Sequence, residues 1–367
     1  MAQGHRHSVV SILSSAELGP AYAAAGICVT WLDMRRNPLR AFAALCRTID
    51  RLQPDVVQTW MYHGDVIGGL AARLCGVPRL VWGIRQTSIA MLPVDRTLRI
   101  MYRLGAWLSH VLPHAVVCNA ATARDSHVAY GYSAKRMHVI ANGFDTDTFD
   151  PAKLDRQSAR QAVHGFGSEH TVVGHLARYS PEKDHTTFLH AARLALNADP
   201  QLRFVLVGLG LDKHNSALMS SLRQHDLIAH VELKGQRGDP AMCLRAMDIF
   251  CLSSRHEGFP NALGEAMAMG LPCVTTDAGD ARVLAGDAAT VVPCGDAPAL
   301  AAAMLGAARL TPSQRQQAGR TARRRIQALF GVEQMREQFE SLYLSLPPSL
   351  QSDPGTPHVR HRWPATR

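Results

Sequence analysis

Apolar residues fall along this chain in short, nearly unbroken runs. In the first half they are SVVSIL (8–13), ICVTWL (27–32), DVVQTW (55–60), RLVWGI (79–84), HAVVCN (114–119) and MHVIAN (137–142). In the second they are TVVGHLA (171–177), RFVLVG (203–208), HVELKG (230–235), DIFCLS (248–253), PCVTT (272–276) and TVVP (290–293). Longer segments of mixed polarity separate them. Short β-branched runs without strict alternation are strands covered on both faces, so the pattern predicts an α/β protein with parallel sheets between helices. Twelve such runs exceed one comfortable sheet, and two domains are expected. The polar, Asp-rich stretch NGFDTDTFDPAKLDRQSAR (142–160), broken by Gly143 and Pro151, is the predicted boundary. It gives domains at 1–150 and 151–330, then a helix over 331–346 that stops at Pro347 and Pro348. The remaining PPSLQSDPGTPHVRHRWPATR has turn formers and no periodicity, and reads as a disordered tail.

Composition narrows the function. With 39 Lys+Arg against 30 Asp+Glu, the basic excess points to an anionic partner: nucleic acid, a phosphorylated substrate or an acidic membrane surface. Nucleic-acid binding calls for a basic stripe with stacking aromatics, and neither is found. The eight cysteines show no CxxC pair and no Cys/His ligand spacing. They read as small buried hydrophobes in a reducing compartment. No apolar run is long enough to cross a bilayer. The expected location is the cytoplasm, with a peripheral place on the inner membrane face.

Four features of the second domain carry candidate chemistry. GHLARYSPEKDH (174–185) is a strand followed by a loop with Arg178 and Lys183. Two cations beyond a strand's carboxyl end can neutralise a pyrophosphate, one by a forked contact and one as a point charge; the alternative is two solvated surface cations. LVGLG (206–210) turns at Gly208, where backbone can approach a ligand, although strand-end glycines are common. VELKGQR (231–237) places Gly235 and Gln236 where main-chain groups can hold a nucleobase.

The fourth is RHEGFPNALGEAMAMGLP (255–272), in which Glu257 and Glu265 bracket a tight loop and the start of a helix with Asn261 near its N-cap. The amides around Ala262 and Leu263 would attract phosphate. Glu265, one turn inside, would repel that phosphate if it faced it, so a ribose diol is the partner that fits. Glu257, at the loop's start, is free to face the sugar beyond. The alternative is a carboxylate pair on a solvated loop and helix face.

These residues resemble those of the retaining glycosyltransferases of family 4, two-domain GT-B enzymes that use nucleotide sugars. The resemblance is carried by HEGFPNALGEAMAMGLPCVTT, by Arg178 and Lys183 in LARYSPEKD, and by Gly208 in VLVGLG. VIANGFDTDTF (139–149) and RRRIQALFGVEQMREQFESLY add to it, and it spans residues 8–346. It implies a GT-B fold of two Rossmann-like doubly wound domains with a facing cleft. It implies that Arg178 and Lys183 hold the donor's pyrophosphate, that Glu265 bonds the ribose and that Glu257 contacts the transferred sugar. Main chain of Gly258, Phe259, Pro260, Asn261, Ala262 and Leu263 would line the sugar and phosphate pocket, and the last helix would cross back to the first domain. A UDP or GDP sugar is the implied donor, without metal or other cofactor, and a saccharide or lipid-linked saccharide the acceptor. A non-catalytic sugar-nucleotide-binding remnant and a GT-B epimerase are the alternatives.

In family members a strand, a glycine-rich loop and a helix precede the segment that here reads GHRHSVVSIL. By that comparison about 25–30 residues are wanting, and the wanting strand is expected in the middle of a doubly wound sheet. Either the true start lies upstream of Met1 or the chain is a truncated copy. His63, beyond a strand end with Asp65 two residues on, is the implied histidine for the transferred sugar; the alternative is a capping or surface histidine. Arg85 and Thr87 stand beyond another strand, as ligand contacts or surface residues. Arg96, Arg99 and Arg103, interleaved with Met91, Leu92, Leu98, Ile100, Met101 and Leu104, can form a face for anionic lipid or an ordinary packed helix.

Overall fold

The computed structural model describes residues 4–13, 19–86 and 96–348. Each of the twelve predicted runs is a strand: β1 (Ser8–Ser11), β2 (Cys28–Trp31), β3 (Val56–Gln58), β4 (Arg79–Ile84), β5 (Ala115–Cys118), β6 (Met137–Val139), β7 (Thr171–Leu176), β8 (Leu202–Val207), β9 (Val231–Leu233), β10 (Ile249–Leu252), β11 (Cys273–Thr276) and β12 (Thr290–Val292). The paired strands run parallel throughout.

Residue contacts divide the chain into two compact units. One holds the described residues up to Cys118, Arg124–Val139 and those from Glu340 onward; the other holds Asn119–Ala123 and Ile140–Phe339. Residues 140–150, placed with the first domain on sequence, therefore go with the second unit. Phe144 explains why: its ring stacks on Phe259 at 6.0 Å and its amide donates to the Phe330 carbonyl at 2.8 Å. The final helix, Val332–Ser345, contributes its earlier residues to the second unit and its last ones to the first. The tail beyond residue 348 lies outside the described residues.

In the first unit the strands form two ladders, β1–β2 and β3–β4–β5–β6, and no ladder joins them among the described residues. Burial follows that division. β4 and β5 are buried almost throughout, while β1, β2 and β3 are half-buried or exposed at every position.

The second unit is one six-stranded sheet in the order β12-β11-β10-β7-β8-β9. Its core joins Phe188, Leu202, Phe204, Leu206, Ile249 and Met304. The helices His185–Ala198 and Ala297–Ala308 pack together over it. The eight cysteines are free; five are buried as expected, whereas Cys28 and Cys294 are exposed. No helix among the described residues is long and apolar enough to cross a membrane.

Candidate functional site

The chain runs from β7 outward through β8 and β9, then returns to the other side of β7 for β10, β11 and β12. Connections diverge between β7 and β10, which opens a crevice beyond their carboxyl ends, the usual ligand position in a doubly wound sheet. The loop after β7 carries Arg178 and Lys183, and the loop after β10 carries Glu257. Candidate residues about 80 positions apart in sequence are thus brought to one place by strand order.

The two loops are laced together. The Arg255 amide donates to the Glu182 carbonyl at 2.8 Å, and the Ser253 hydroxyl donates to the Lys183 carbonyl at 2.9 Å. Arg255 Nε donates to the Asp184 carboxylate at 2.6 Å. Asp184 holds a left-handed backbone (φ 47°) and caps the helix His185–Ala198, accepting from the Thr187 amide at 3.2 Å and its hydroxyl at 2.6 Å. Asp184, Ser253 and Arg255 thereby aim Lys183. Sequence reasoning missed all three, and only an Asp before a helical run hints at the cap.

Lys183 donates to the Glu257 carboxylate, which also accepts from the Ser254 hydroxyl at 2.7 Å. Glu257 is therefore not the free sugar-facing carboxylate expected from its place in the loop. Its side chain is only 10% exposed, and a carboxylate that buried requires partners. A donor reaching Lys183 competes with Glu257 for it. Arg178 is exposed and pairs with Glu182 at 2.6 Å.

Arg178 also lines a cavity of about 160 Å³, together with Leu176, Gly208, Gln236, Arg237 and Pro240, among others. It gathers Arg178, Gly208, Gln236 and Arg237, all from stretches singled out on sequence, and Asp239 holds Arg237 at 2.6 Å. Gly235 has a different role from the base contact expected of it. Its amide donates to the Leu211 carbonyl and its carbonyl accepts from the Gly208 amide, both at 2.8 Å. Gly208 (φ 147°) sits so close to the loop after β7 that an added Cβ would stand 1.9 Å from the Ala177 carbonyl oxygen. Gly208→Ala is expected to destabilise the protein by at least about 2 kcal/mol, measured as a lower urea midpoint.

The helix Asn261–Ala268 has Pro260 at its N-cap, without a capping side chain, and Asn261 is its first helical residue. Asn261 Oδ1 accepts from Asn142 Nδ2 at 2.7 Å. The Leu263 amide turns back to the Pro260 carbonyl at 3.1 Å, so it is not offered to phosphate as expected. Among the described residues the Asn261 and Ala262 amides have no acceptor. Phe259 is buried between Phe144 and Phe330, Pro260 and Leu263 are buried too, and Gly258 gives its carbonyl to the Asp280 amide at 2.9 Å. The side chains of Phe259, Pro260 and Leu263 are thus packed away from any ligand, whereas Asn261 is exposed.

Glu265, in the same helix, is half-buried and its carboxylate has no partner among the described residues. Burial pushes that carboxyl up to about 7. A carboxylate in this state gains most from a ligand hydroxyl pair, as the ribose reading requires.

In the first unit His63 is half-buried and ends the short turn Met61–His63, followed by a π-helical turn, Gly64–Gly68. Met61 is left-handed (φ 66°), a strained conformation for that residue. Asp65 accepts from the Thr59 hydroxyl at 2.6 Å, and burial pushes its carboxyl up to about 8. Strain, a π-turn and a buried carboxyl mark this corner as specialised, none of it visible in the spacing of His63 and Asp65. Arg85 lies over the Trp60 ring at 5.3 Å, and Thr87 lies outside the described residues.

Two family models match the chain. Residues 1–148 match Glycosyltransferase Family 4, and residues 170–309 match Glycosyl transferases group 1. A UDP-Gal:alpha-D-GlcNAc-diphosphoundecaprenol alpha-1,3-galactosyltransferase of Escherichia coli is 26% identical over 65% of this chain and 62% of its own. A GDP-mannose-dependent alpha-mannosyltransferase of Mycobacterium tuberculosis is 29% identical over 65% of this chain and 60% of its own. The chain thus spans about three fifths of the length of these curated relatives. The crystal structure of Anabaena HepE with UDP and glucose superposes with a TM-score of 0.79 at 21% identity, covering 92% of each chain. The fold is GT-B, as the sequence led us to expect.

Proposed function

We propose, from a chain that belongs to the family 4 glycosyltransferases, that this protein transfers a sugar from a nucleoside diphosphate sugar with retention of anomeric configuration. The observation that carries the reading is the junction of the loops after β7 and β10. There Lys183 meets Glu257, the helix Asn261–Ala268 begins four residues further on without a capping side chain, and Arg178, on the same loop as Lys183, lines a cavity with Gln236 and Arg237. In the reaction the bond from the anomeric carbon to the diphosphate breaks, and a bond to the acceptor oxygen forms on the same face. The acceptor's proton passes to the departing phosphate. Lys183, Arg178 and the amides of Asn261 and Ala262 stabilise the charge gathering on that phosphate, so the step calls for no cofactor. Glu265 holds the ribose, and Gln236 and Arg237 border the base.

The acceptor is a saccharide or a lipid-linked saccharide of a cell-surface polysaccharide, handled in the cytoplasm or on the inner membrane face. Relatives using UDP-galactose and GDP-mannose support both base types. A thermal-shift panel of UDP, GDP and ADP sugars tests the reading. One base class is expected to raise the melting temperature in a saturable way. No shift with any of them would remove it. The second reading is nucleotide-sugar binding without transfer. A thermal shift without product on any acceptor would select it.

A further inference from the structure

The helix Arg96–Leu108 has no acidic residue. One face turns inward through Tyr102, Gly105, Ala106 and Leu108, with Tyr102 edge-on to Tyr62 at 4.1 Å. On the opposite face Arg96, Arg99, Ile100, Arg103, Leu104 and Trp107 are all exposed. Their spacing of three and four residues keeps them on one stripe, about 140° wide at about 100° per residue. The arginines take one flank, Ile100 and Leu104 the other, and Trp107 lies between. Ile100 is 54% exposed and Trp107 69%. Among the described residues none of the three guanidinium groups has an ion pair.

Exposed cations beside exposed Ile, Leu and Trp on one helix face match the layered chemistry of a bilayer surface, phosphates above and hydrocarbon below. We propose that this face docks on an anionic lipid bilayer. The arginines meet lipid phosphates, and Ile100, Leu104 and Trp107 enter the interfacial layer. An acidic protein would satisfy the arginines but gives no account of the apolar flank at the same depth. The inference is independent of the transfer reaction, because docking needs neither donor nor acceptor.

Sedimentation of the full chain with phosphatidylcholine vesicles, with and without a one-third share of phosphatidylglycerol, tests it. Binding is expected only with the anionic lipid and falls as salt rises. Arg99→Ser with Arg103→Ser is expected to lower the partition about 25-fold, from about fivefold per arginine. Arg99→Lys with Arg103→Lys should keep it, and Trp107→Ser should weaken it with the charge unchanged. These positions are exposed, and unchanged melting temperatures check the fold. Should the serine pair fail to fold, the lysine pair and the salt series decide alone. Three outcomes overturn the proposal: no binding to anionic vesicles, equal binding by folded wild type and the serine pair, or insensitivity to salt. Capture of an acidic protein without vesicle binding would overturn it as well.

Discussion

Lys183→Ala is expected to lower the transfer rate about 10²–10³-fold, the usual loss when one donor to developing charge is removed from a site. The same change strips Glu257 of its cation and leaves it only the Ser254 hydroxyl. With the Glu257 side chain 10% exposed, stability should also fall, by about 1–3 kcal/mol. The two effects separate in Lys183→Ala with Glu257→Gln, which removes the orphaned charge. That double variant is expected to recover stability and not rate, because the lost cation is what the leaving diphosphate needs. Recovery of rate would mean that Lys183 serves only the fold.

Glu265→Gln is expected to make the protein more stable and a worse binder at once. Burial raises the Glu265 carboxyl from its ordinary 4.5 to about 7. Between those values the folded protein holds more protons than the unfolded chain, so stability falls as pH rises through the window. The penalty is absent below about 4.5 and complete above about 7. Removing the charge should therefore add on the order of 1–3 kcal/mol at pH 8 and little at pH 4, read by urea unfolding at both pH values. A charge-assisted bond to a ribose hydroxyl is lost in exchange, and donor affinity should drop about 10–100-fold. Unchanged affinity would place the ribose elsewhere.

Much of the architecture was legible because buried parallel strands write themselves as short β-branched runs. DIFCLS and RFVLVG could hardly be anything else beside amphipathic segments. The order of those strands was not legible, since pairing of β10 with β7 joins residues far apart in the chain. The Lys183–Glu257 pair, 74 positions apart, was hidden for the same reason. Both residues had been picked as ligand contacts, but only packing shows that each satisfies the other. The left-handed Asp184 and the strained Met61 belong to backbone geometry, which residue type barely signals at either place. The stripe from Arg96 to Trp107 was ambiguous between a packed and an exposed face until Tyr102 and Gly105 were found inside.

The most direct test compares a nucleoside diphosphate with its bare nucleoside by calorimetry, using whichever base gives the largest thermal shift. Wild type and the Arg178→Ala, Lys183→Ala double variant are titrated with both. If the diphosphate rests between those cations and the tip of the helix at Asn261, the variant loses about 10–100-fold in affinity for the diphosphate and nothing for the nucleoside. Equal losses for both ligands, or none for either, would contradict the account.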